Sequence, residues 1–188
     1  MTSQFLAGVD EVGRGCLAGP VISAAIILNS KIDKKLLVDS KSISSKKRLI
    51  LASYILRNAR SIGIGACNNF EIDKLNIHHA TLLSMRRAII NLNITPKMIY
   101  VDGLFKPETT IDTKCFVKGD TFIPEISAAS IIAKVLRDNE MIKLDRKFKV
   151  YGFADNKGYP TKNHKTALSV FGPSVYHRLS FSPLKPTV

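Results

Sequence analysis

The chain between Ala18 and Leu28 is almost continuously apolar, and valine, isoleucine and alanine make up most of it. A strand with one wet face alternates apolar and polar residues, whereas a strand buried on both faces does not. The run is also shorter than the roughly 18 residues that a membrane-spanning helix needs. It therefore predicts a strand inside a sheet that helices cover on both sides.

Strand-like and helix-like segments alternate along the rest of the chain. Predicted strands cover about residues 5–10, 18–28, 61–67, 97–101 and 113–117. Predicted helices cover about residues 44–58, 71–75, 78–92, 125–148 and 162–170, and the tail from about residue 173 is predicted to be irregular. Such alternation is typical of an α/β protein. Because no interdomain linker is visible, we expect one domain over residues 1–188.

The charge balance is strongly basic. Lysine and arginine number 28 against 15 aspartate and glutamate residues, so the net charge is +13. Such an excess favours a polyanionic partner, either nucleic acid or an anionic membrane surface. No signal peptide is recognised, Cys16, Cys67 and Cys115 match neither a disulfide framework nor a zinc site, and His164 and His177 show no metal-ligand spacing. We therefore expect a reducing, cytoplasmic location.

Three of the predicted strands end in acidic residues. Asp10 and Glu11 follow the first strand, Asp102 follows the fourth, and Asp120 lies shortly after the fifth. Ligands in α/β sheets bind at the carboxyl ends of strands, so these carboxylates could meet at one cation site. The alternative is a set of solvated turns, because Asp-Gly and Gly-Asp are common turn sequences. Two adjacent carboxylates repel each other unless a divalent cation or a raised pKa relieves the repulsion, and the coincidence of Asp102 and Asp120 with this pair favours the metal site.

Groups suited to nucleic acid lie near these acids in the sequence. Arg14 stands between Gly13 and Gly15, where glycine leaves the backbone open and arginine can grip a phosphate. Tyr159, in a loop with glycine and proline neighbours, offers a ring that can stack on a sugar or base; the alternative is a core tyrosine. The candidate phosphate contacts, each otherwise an ordinary solvated charge, are Lys41, Lys118, Lys134 and Arg137.

The predicted helix over residues 125–148 carries a polar stripe. Ser127, Ser130, Lys134 and Asp138 recur at spacings of three and four, so they share one helix face. The stripe could face a ligand. Alternatively, Lys134 and Asp138 form a surface ion pair, and for Asp138 we favour that interpretation.

These segments together resemble the bacterial ribonuclease HII family, the type 2 ribonucleases H. The segments that carry the resemblance occur in the family's order: Gly8-Val-Asp-Glu-Val-Gly-Arg-Gly15, Ala18-Gly-Pro-Val21, Asp39-Ser-Lys41, Tyr100-Val-Asp-Gly103, Lys118-Gly-Asp120, Ser127-Ala-Ala-Ser-Ile-Ile-Ala-Lys-Val135, Arg137-Asp138, Lys157-Gly-Tyr-Pro-Thr161 and His177-Arg-Leu-Ser-Phe-Ser-Pro183. The resemblance implies an RNase H-like fold, in which helices flank a mixed five-stranded sheet and a helical part forms the C-terminus.

The resemblance also implies an activity and a set of site residues. The family uses Mg²⁺ or Mn²⁺ to hydrolyse the RNA strand of RNA–DNA hybrids, and it incises duplex DNA on the 5′ side of single embedded ribonucleotides, leaving 3′-hydroxyl and 5′-phosphate ends. Its catalytic, metal-binding acids correspond to Asp10, Glu11, Asp102 and Asp120. Its ribonucleotide-sensing motif corresponds to Gly13, Arg14 and Gly15, and its junction tyrosine to Tyr159. One departure is Cys16, which stands where the family usually has proline and implies a less rigid loop.

Two other functions are compatible with part of this pattern. A non-catalytic nucleic-acid-binding module would also be basic, but it would gain nothing from acids gathered beside a phosphate. Another metal-dependent nuclease on the same fold, such as a resolvase, would share the acids but not the glycine-arginine-glycine motif with Tyr159. We expect a monomer without a protein partner or membrane attachment that acts in ribonucleotide excision repair and DNA replication.

The basic charge predicts a strong salt dependence of duplex binding. Lysine and arginine release counterions from the phosphates they contact, and each neutralised phosphate of duplex DNA contributes about 0.9 to the slope of log affinity against log salt. We expect a slope of several units when binding to a ribonucleotide-containing duplex is followed by fluorescence anisotropy over a range of KCl concentrations. A flat response would mean that the charge is not arranged along the substrate.

Overall fold

The computed structural model describes residues 5–37 and 43–184. Within these ranges, five strands form one sheet in the spatial order β3-β2-β1-β4-β5. The strands are β1 Leu6–Val12, β2 Val21–Ile27, β3 Ser61–Cys67, β4 Met98–Asp102 and β5 Asp112–Phe116. Strands β1, β2 and β3 pair antiparallel, whereas β4 runs parallel to β1 and β5 parallel to β4. The predicted α/β fold with a mixed five-stranded sheet is confirmed.

Helices lie on both faces of this sheet. The α-helices are α1 Ser45–Asn58, α2 Asn69–Ile90, α3 Pro124–Asp145, α4 Phe153–Asn156 and α5 Lys162–Phe171. Short 3₁₀ turns occupy Lys34–Leu36, Gly119–Thr121 and Lys149–Tyr151. The helices that follow α3 form the helical C-terminal part that the resemblance implies. No helix in the described ranges is long and apolar enough to cross a membrane.

Strand β2 is covered on both faces, as its apolar run predicts. All seven of its residues are buried. Ala24 and Ile26 join one core with residues of α1 and α3, whereas Ala25 and Ile27 join a second core with residues of α2 on the opposite face. The strand begins at Val21, later than predicted, because the chain turns at Gly19, whose φ is +82°.

Helix α2 joins two segments that the sequence predicts as separate helices. Asn76 interrupts it with non-helical angles, φ 65° and ψ 166°. The Asn76 side chain accepts hydrogen bonds from the backbone N–H groups of His78 and His79, at 2.9 and 3.1 Å. Asn76 therefore caps the second half of α2, which explains why the sequence pattern breaks at this point.

Glycine at position 8 allows α3 to approach β1 very closely. A Cβ atom built on Gly8 would lie 2.1 Å from the carbonyl carbon of Glu125 and 2.3 Å from the nitrogen of Ile126. The first turn of α3 therefore rests directly on the backbone of β1. This contact fixes where the following turns of α3 lie relative to the carboxyl end of β1.

We expect Gly8→Ala to destabilise the fold by about 1–3 kcal/mol, the usual cost of forcing extra volume into a packed core. For a domain of this size that corresponds to a fall in Tm of about 2–4 °C per kcal/mol. Gly15→Ala is the matched control for stability, since a Cβ at Gly15 meets nothing within 4 Å. Equal Tm values for the two variants in a calorimetric scan would contradict the close contact between α3 and β1.

Candidate active site

The carboxyl ends of β1 and β4 meet at one pocket. These parallel strands pair with Val9 opposite Val101, so Asp10 and Asp102 are neighbours at the next position. Asp10, Glu11 and Asp102 all line a pocket of about 420 Å³. Three of the four predicted acids are thus brought together by the register of two strands.

Asp10 lies in an electrostatically unfavourable place for an anion. It is only 4% exposed. Burial raises the pKa of Asp10 well above its ordinary value, and the negative charges of Glu11 and Asp102 raise it further. Hydrogen bonds from the Ser130 side chain and from the Glu11 N–H, the latter at 2.7 Å, partly offset these effects. A cation at this point would stabilise the ionised carboxylate.

Asp120 is next in sequence to Gly119, which is hydrogen-bonded to Asp102. Asp120 itself is not among the described residues that line the pocket. The Gly119 N–H donates to Asp102 Oδ1 at 2.8 Å, which ties the 3₁₀ turn Gly119–Thr121 to the end of β4. Asp120, the next residue, is 1% exposed. The structure therefore places Asp120 beside the acids, buried, one residue from a group bound to Asp102.

The donor set suits a hard divalent cation, because it consists of carboxylate oxygens and includes an acid whose pKa is raised by two others. Among the described residues, however, no three His, Cys, Asp or Glu side chains are already arranged to hold a metal ion. Metal binding by Asp10, Glu11, Asp102 and Asp120 therefore stays a prediction.

The glycine-arginine-glycine motif forms another wall of the same pocket. Gly13, Arg14 and Gly15 are lining residues, and an Arg14 guanidinium nitrogen lies 3.7 Å from a Glu11 carboxylate oxygen. Gly13 has φ +99°, and a Cβ there would lie 2.1 Å from the Arg137 side chain. The motif therefore needs glycine at position 13, whereas the backbone at Gly15 faces open space.

Two buried arginines hold the loops around this pocket. The Arg137 guanidinium donates to the carbonyl oxygens of Pro20, Lys157 and Ala18 at 2.8, 2.8 and 3.0 Å. Arg137 is 0% exposed, so its predicted role as a phosphate contact is wrong. Its spacing on the helix gave no sign of this, because the carbonyl partners come from distant loops.

Arg178 is a second buried arginine, and the sequence patterns do not identify it as a site residue. It donates twice to the Gly19 carbonyl, at 2.8 and 3.0 Å, and once to the Arg14 carbonyl, at 3.0 Å. Burial lowers the pKa of Arg178 to about 10. The position within the motif His177-Arg-Leu-Ser is the only sequence signal for it, and that signal carries no physical indication of its partners.

Tyr159 lines the same pocket as the acids. The residue is 37% exposed, and its ring centroid lies 5.6 Å from Lys134 Nζ and 5.9 Å from the Arg137 guanidinium carbon. The Tyr159 hydroxyl is hydrogen-bonded to the Cys16 thiol, and burial raises the pKa of the tyrosine. Cys16 is 0% exposed. It stands where the resemblance leads us to expect proline, and it contacts the predicted junction tyrosine.

The polar stripe of α3 divides between the pocket and the core. Ser130 and Lys134 line the pocket, and Lys134 pairs with Asp138 at 2.8 Å. Ser127 instead donates to the Leu37 carbonyl in the core. Arg48 of α1 also lines the pocket, and no sequence pattern points to it.

Of the two remaining predicted phosphate contacts, Lys118 is not among the described residues that line the pocket. Lys118 is exposed with a left-handed backbone, φ 57°. Lys41 lies outside the described residues.

Comparison with known proteins identifies the family. The model of the family described as Ribonuclease HII matches residues 7–183. The chain belongs to the ribonuclease HII family. Membership makes it a ribonuclease H, an endoribonuclease of RNA–DNA hybrids, and enzymes of this kind depend on divalent metal.

Solved structures support the same fold over nearly the whole chain. The chain is similar to ribonuclease H2 from Pyrococcus horikoshii OT3, with 25% identity, a TM-score of 0.82, and coverage of 96% of this chain and 95% of that chain. It is similar in fold to RNase HII from Archaeoglobus fulgidus, solved in complex with PCNA, with 24% identity, a TM-score of 0.78 and 98% coverage of each chain. Bst-RNase HIII, solved in complex with Mn²⁺, shares the fold at 21% identity and a TM-score of 0.65, with 97% of this chain and 68% of that chain covered.

Asp10→Asn should abolish cleavage and at the same time stabilise the metal-free protein. The raised pKa means that ionised Asp10 costs stability at neutral pH, and asparagine removes the charge while it can still accept from the Glu11 N–H. We therefore expect the Tm of Asp10→Asn in EDTA to lie above that of the wild-type protein. Asp155→Asn, an exposed acid of α4, is the matched control and should change neither quantity.

The wild-type protein and Asp10→Asn also test metal binding without an activity assay. Added Mg²⁺ should raise the Tm of the wild-type protein more than that of Asp10→Asn, because a ligand that binds only the folded state stabilises it. Cleavage near the wild-type rate by Asp10→Asn, or equal Mg²⁺ shifts in the two proteins, would contradict the assignment.

Proposed function

We propose that this chain is a type 2 ribonuclease H of the bacterial kind that incises duplex DNA on the 5′ side of single embedded ribonucleotides and also cleaves the RNA strand of longer hybrids. The products carry 3′-hydroxyl and 5′-phosphate ends. One observation carries the proposal: the acids Asp10, Glu11 and Asp102 share one pocket with Gly13–Gly15 and Tyr159. Groups suited to phosphodiester hydrolysis and groups suited to sensing a ribose thus face the same space.

Asp10, Glu11, Asp102 and Asp120 are the residues that would hold Mg²⁺ or Mn²⁺, in a two-metal mechanism. The chemistry that such bound cations supply is neutralisation of the phosphate charge and activation of water. Ser130 orients the Asp10 carboxylate through its hydrogen bond. Gly119 does the same for Asp102.

The other walls of the pocket suit recognition of the substrate. The 2′-hydroxyl is the group that distinguishes RNA from DNA, and it needs a donor and an acceptor. The backbone of Gly13–Gly15 is suited to this role chiefly at Gly15, which faces open space, because the Arg14 carbonyl already accepts from Arg178 and Gly13 packs against Arg137. Arg14 and Lys134 are suited to flanking phosphates, and the Tyr159 ring is suited to stack on the sugar at the junction.

The proposed cellular role is ribonucleotide excision repair and the removal of RNA during DNA replication, in the cytoplasm, by a single catalytic domain over residues 1–188. We expect a monomer. The Archaeoglobus fulgidus relative was solved in complex with PCNA, so a sliding clamp is the first protein partner to test by gel filtration with this chain.

A direct experiment tests the activity. A duplex with one ribonucleotide in an otherwise DNA strand should be cut on the 5′ side of that ribonucleotide when Mg²⁺ or Mn²⁺ is present. The all-DNA duplex of the same sequence should remain intact, and EDTA should stop the reaction. Cutting of the all-DNA duplex at a similar rate would favour another nuclease on the same fold.

Tyr159→Ala should reduce cleavage of the one-ribonucleotide duplex by about tenfold or more, because stacking is worth about 1–3 kcal/mol per contact. Duplex affinity, measured separately by anisotropy, should change far less, since phosphate contacts dominate it. Tyr159→Phe is the matched control: it keeps the ring, removes only the hydroxyl bonded to Cys16, and should lose less activity. If Tyr159→Ala cleaves the one-ribonucleotide duplex as fast as wild type, Tyr159 has a structural role only.

A further inference from the structure

His164 and His177 form a buried pair that takes no part in the chemistry proposed above. Their Nε2 atoms lie 3.0 Å apart, and the two residues are 0% and 1% exposed. The rings of Tyr151 and Phe153 enclose them, with centroids 4.7 Å from His177 and 5.4 Å from His164 respectively. Two buried imidazoles in direct contact need defined protonation states, because a hydrogen bond between them requires one donor and one acceptor.

The partners of the pair determine both tautomers. The Ser174 N–H donates to His177 Nδ1 at 2.9 Å, so this nitrogen is an acceptor and the proton of neutral His177 is on Nε2. His177 Nε2–H therefore donates to His164 Nε2. The proton of His164 is then on Nδ1, which lies 2.9 Å from the Tyr159 carbonyl oxygen, a group that can only accept. The assignments made from the two ends of this chain of hydrogen bonds agree.

This series of hydrogen bonds ends at Tyr159, which lines the candidate active site. The Tyr159 carbonyl also accepts from the Thr161 N–H at 2.8 Å, and the Tyr159 N–H donates to the Asn156 carbonyl at 2.9 Å. One residue earlier, the Gly158 carbonyl accepts from the Leu17 N–H at 2.7 Å. The backbone around Tyr159 is therefore held at several points, and the histidine pair adds a direct link from the Tyr159 carbonyl to Ser174 in the C-terminal segment.

We propose that His164 and His177 are positioning residues, which hold the Tyr159 backbone so that its ring meets the ribonucleotide junction in the pocket. The inference rests on the proposed function of Tyr159. The hydrogen bonds from Ser174 through both histidines to the Tyr159 carbonyl are all donated in the same direction, and together they restrain the Tyr159 backbone. Losing its last hydrogen bond leaves the ring in place on average but free to shift, which affects a contact that must be accurate and spares general duplex binding.

The surroundings keep the pair neutral. The groups that face it are the Tyr151 and Phe153 rings and the Ser174 hydroxyl, and the residue after His177 is the buried cation Arg178. Burial lowers the pKa of both histidines, and that of His177 falls to about 4, with nearby His164 as a second cause. These pKa values lie below the ordinary value of 6.5, so the folded protein disfavours protonation of the pair. The pair therefore leaves the stability of the fold intact at neutral pH, and that stability falls as the pH drops from about 6.5 towards about 4.

NMR of the ring nitrogens tests the hydrogen-bond chain independently of any activity. In ¹⁵N-labelled protein at neutral pH, His164 should show a protonated Nδ1 and an unprotonated Nε2, and His177 should show the reverse. The opposite tautomer for either ring would overturn the inference, whatever the role of Tyr159.

Two substitutions at His164 test the positioning role. Asparagine places its amide near the position of Nδ1 and can still donate to the Tyr159 carbonyl, whereas glutamine reaches towards Nε2 and His177 and cannot do so from the same place. We expect His164→Gln to lower kcat/KM on the one-ribonucleotide duplex about tenfold, the effect of about one lost hydrogen bond, with activity on an all-RNA/DNA hybrid within about twofold. His164→Asn should retain most of both activities, and His79→Gln, an exposed histidine of α2, is the matched control.

The outcomes separate the two proposals. If Tyr159→Ala loses activity on the one-ribonucleotide duplex but folded His164→Gln does not, the positioning role is wrong and the proposed function stands. If Tyr159→Ala loses nothing, the proposed role of Tyr159 fails and the positioning role fails with it. If His164→Gln does not fold, equal losses by His164→Asn on both substrates would overturn the positioning role, and retained activity together with the expected ring tautomers would support it.

Discussion

The close packing of α3 on β1 decides where the site residues lie. Glycine at position 8 lets the first turn of the helix rest on the strand backbone. One turn further, Ser130 reaches Asp10, and Lys134 then comes within 5.6 Å of the Tyr159 ring. Arg137 completes the series by binding the carbonyls of two loops. A single helix therefore supports the acids, the predicted ribose-sensing motif and the aromatic ring at their mutual distances.

The protein uses buried arginines to connect its loops, and their partners are backbone carbonyls. Among residues 5–37 and 43–184, Arg137 and Arg178 are the two largest fully buried side chains. Burying a cation costs several kcal/mol, and several short, well-directed hydrogen bonds are needed to offset that cost. The arrangement also leaves two positive charges close to the place where phosphate is proposed to bind, which favours an anionic substrate. The loops that carry Gly13–Gly15 and Tyr159 are thus held by groups that also suit the charge of the ligand.

Local patterns in the sequence predict the sheet, the helices and the three acids of the pocket, because periodicity and strand ends are properties of short segments. The burial of β2 on both faces follows from its apolar run. The role of Arg137 could not be predicted, since its partners Pro20 and Lys157 lie far from it in the chain. The His164–His177 contact is hidden for the same reason: the tail must first fold back against Ala18 to bring the two rings together.

Buried polar groups repel one another at the acids of the pocket and are matched around Tyr159. At the acids, burial and like charges raise the pKa of Asp10, so the folded protein has a cost that a bound cation would remove. Around Tyr159, the buried donors and acceptors are matched, from Ser174 through both histidines to the tyrosine carbonyl. A matched network is rigid and is costly to break, whereas a set of mutually repelling charges gains most when a ligand of opposite charge arrives. The rigid network around Tyr159 suits the recognition of one hydroxyl group on a sugar. The repelling charges at the acids suit the binding of metal.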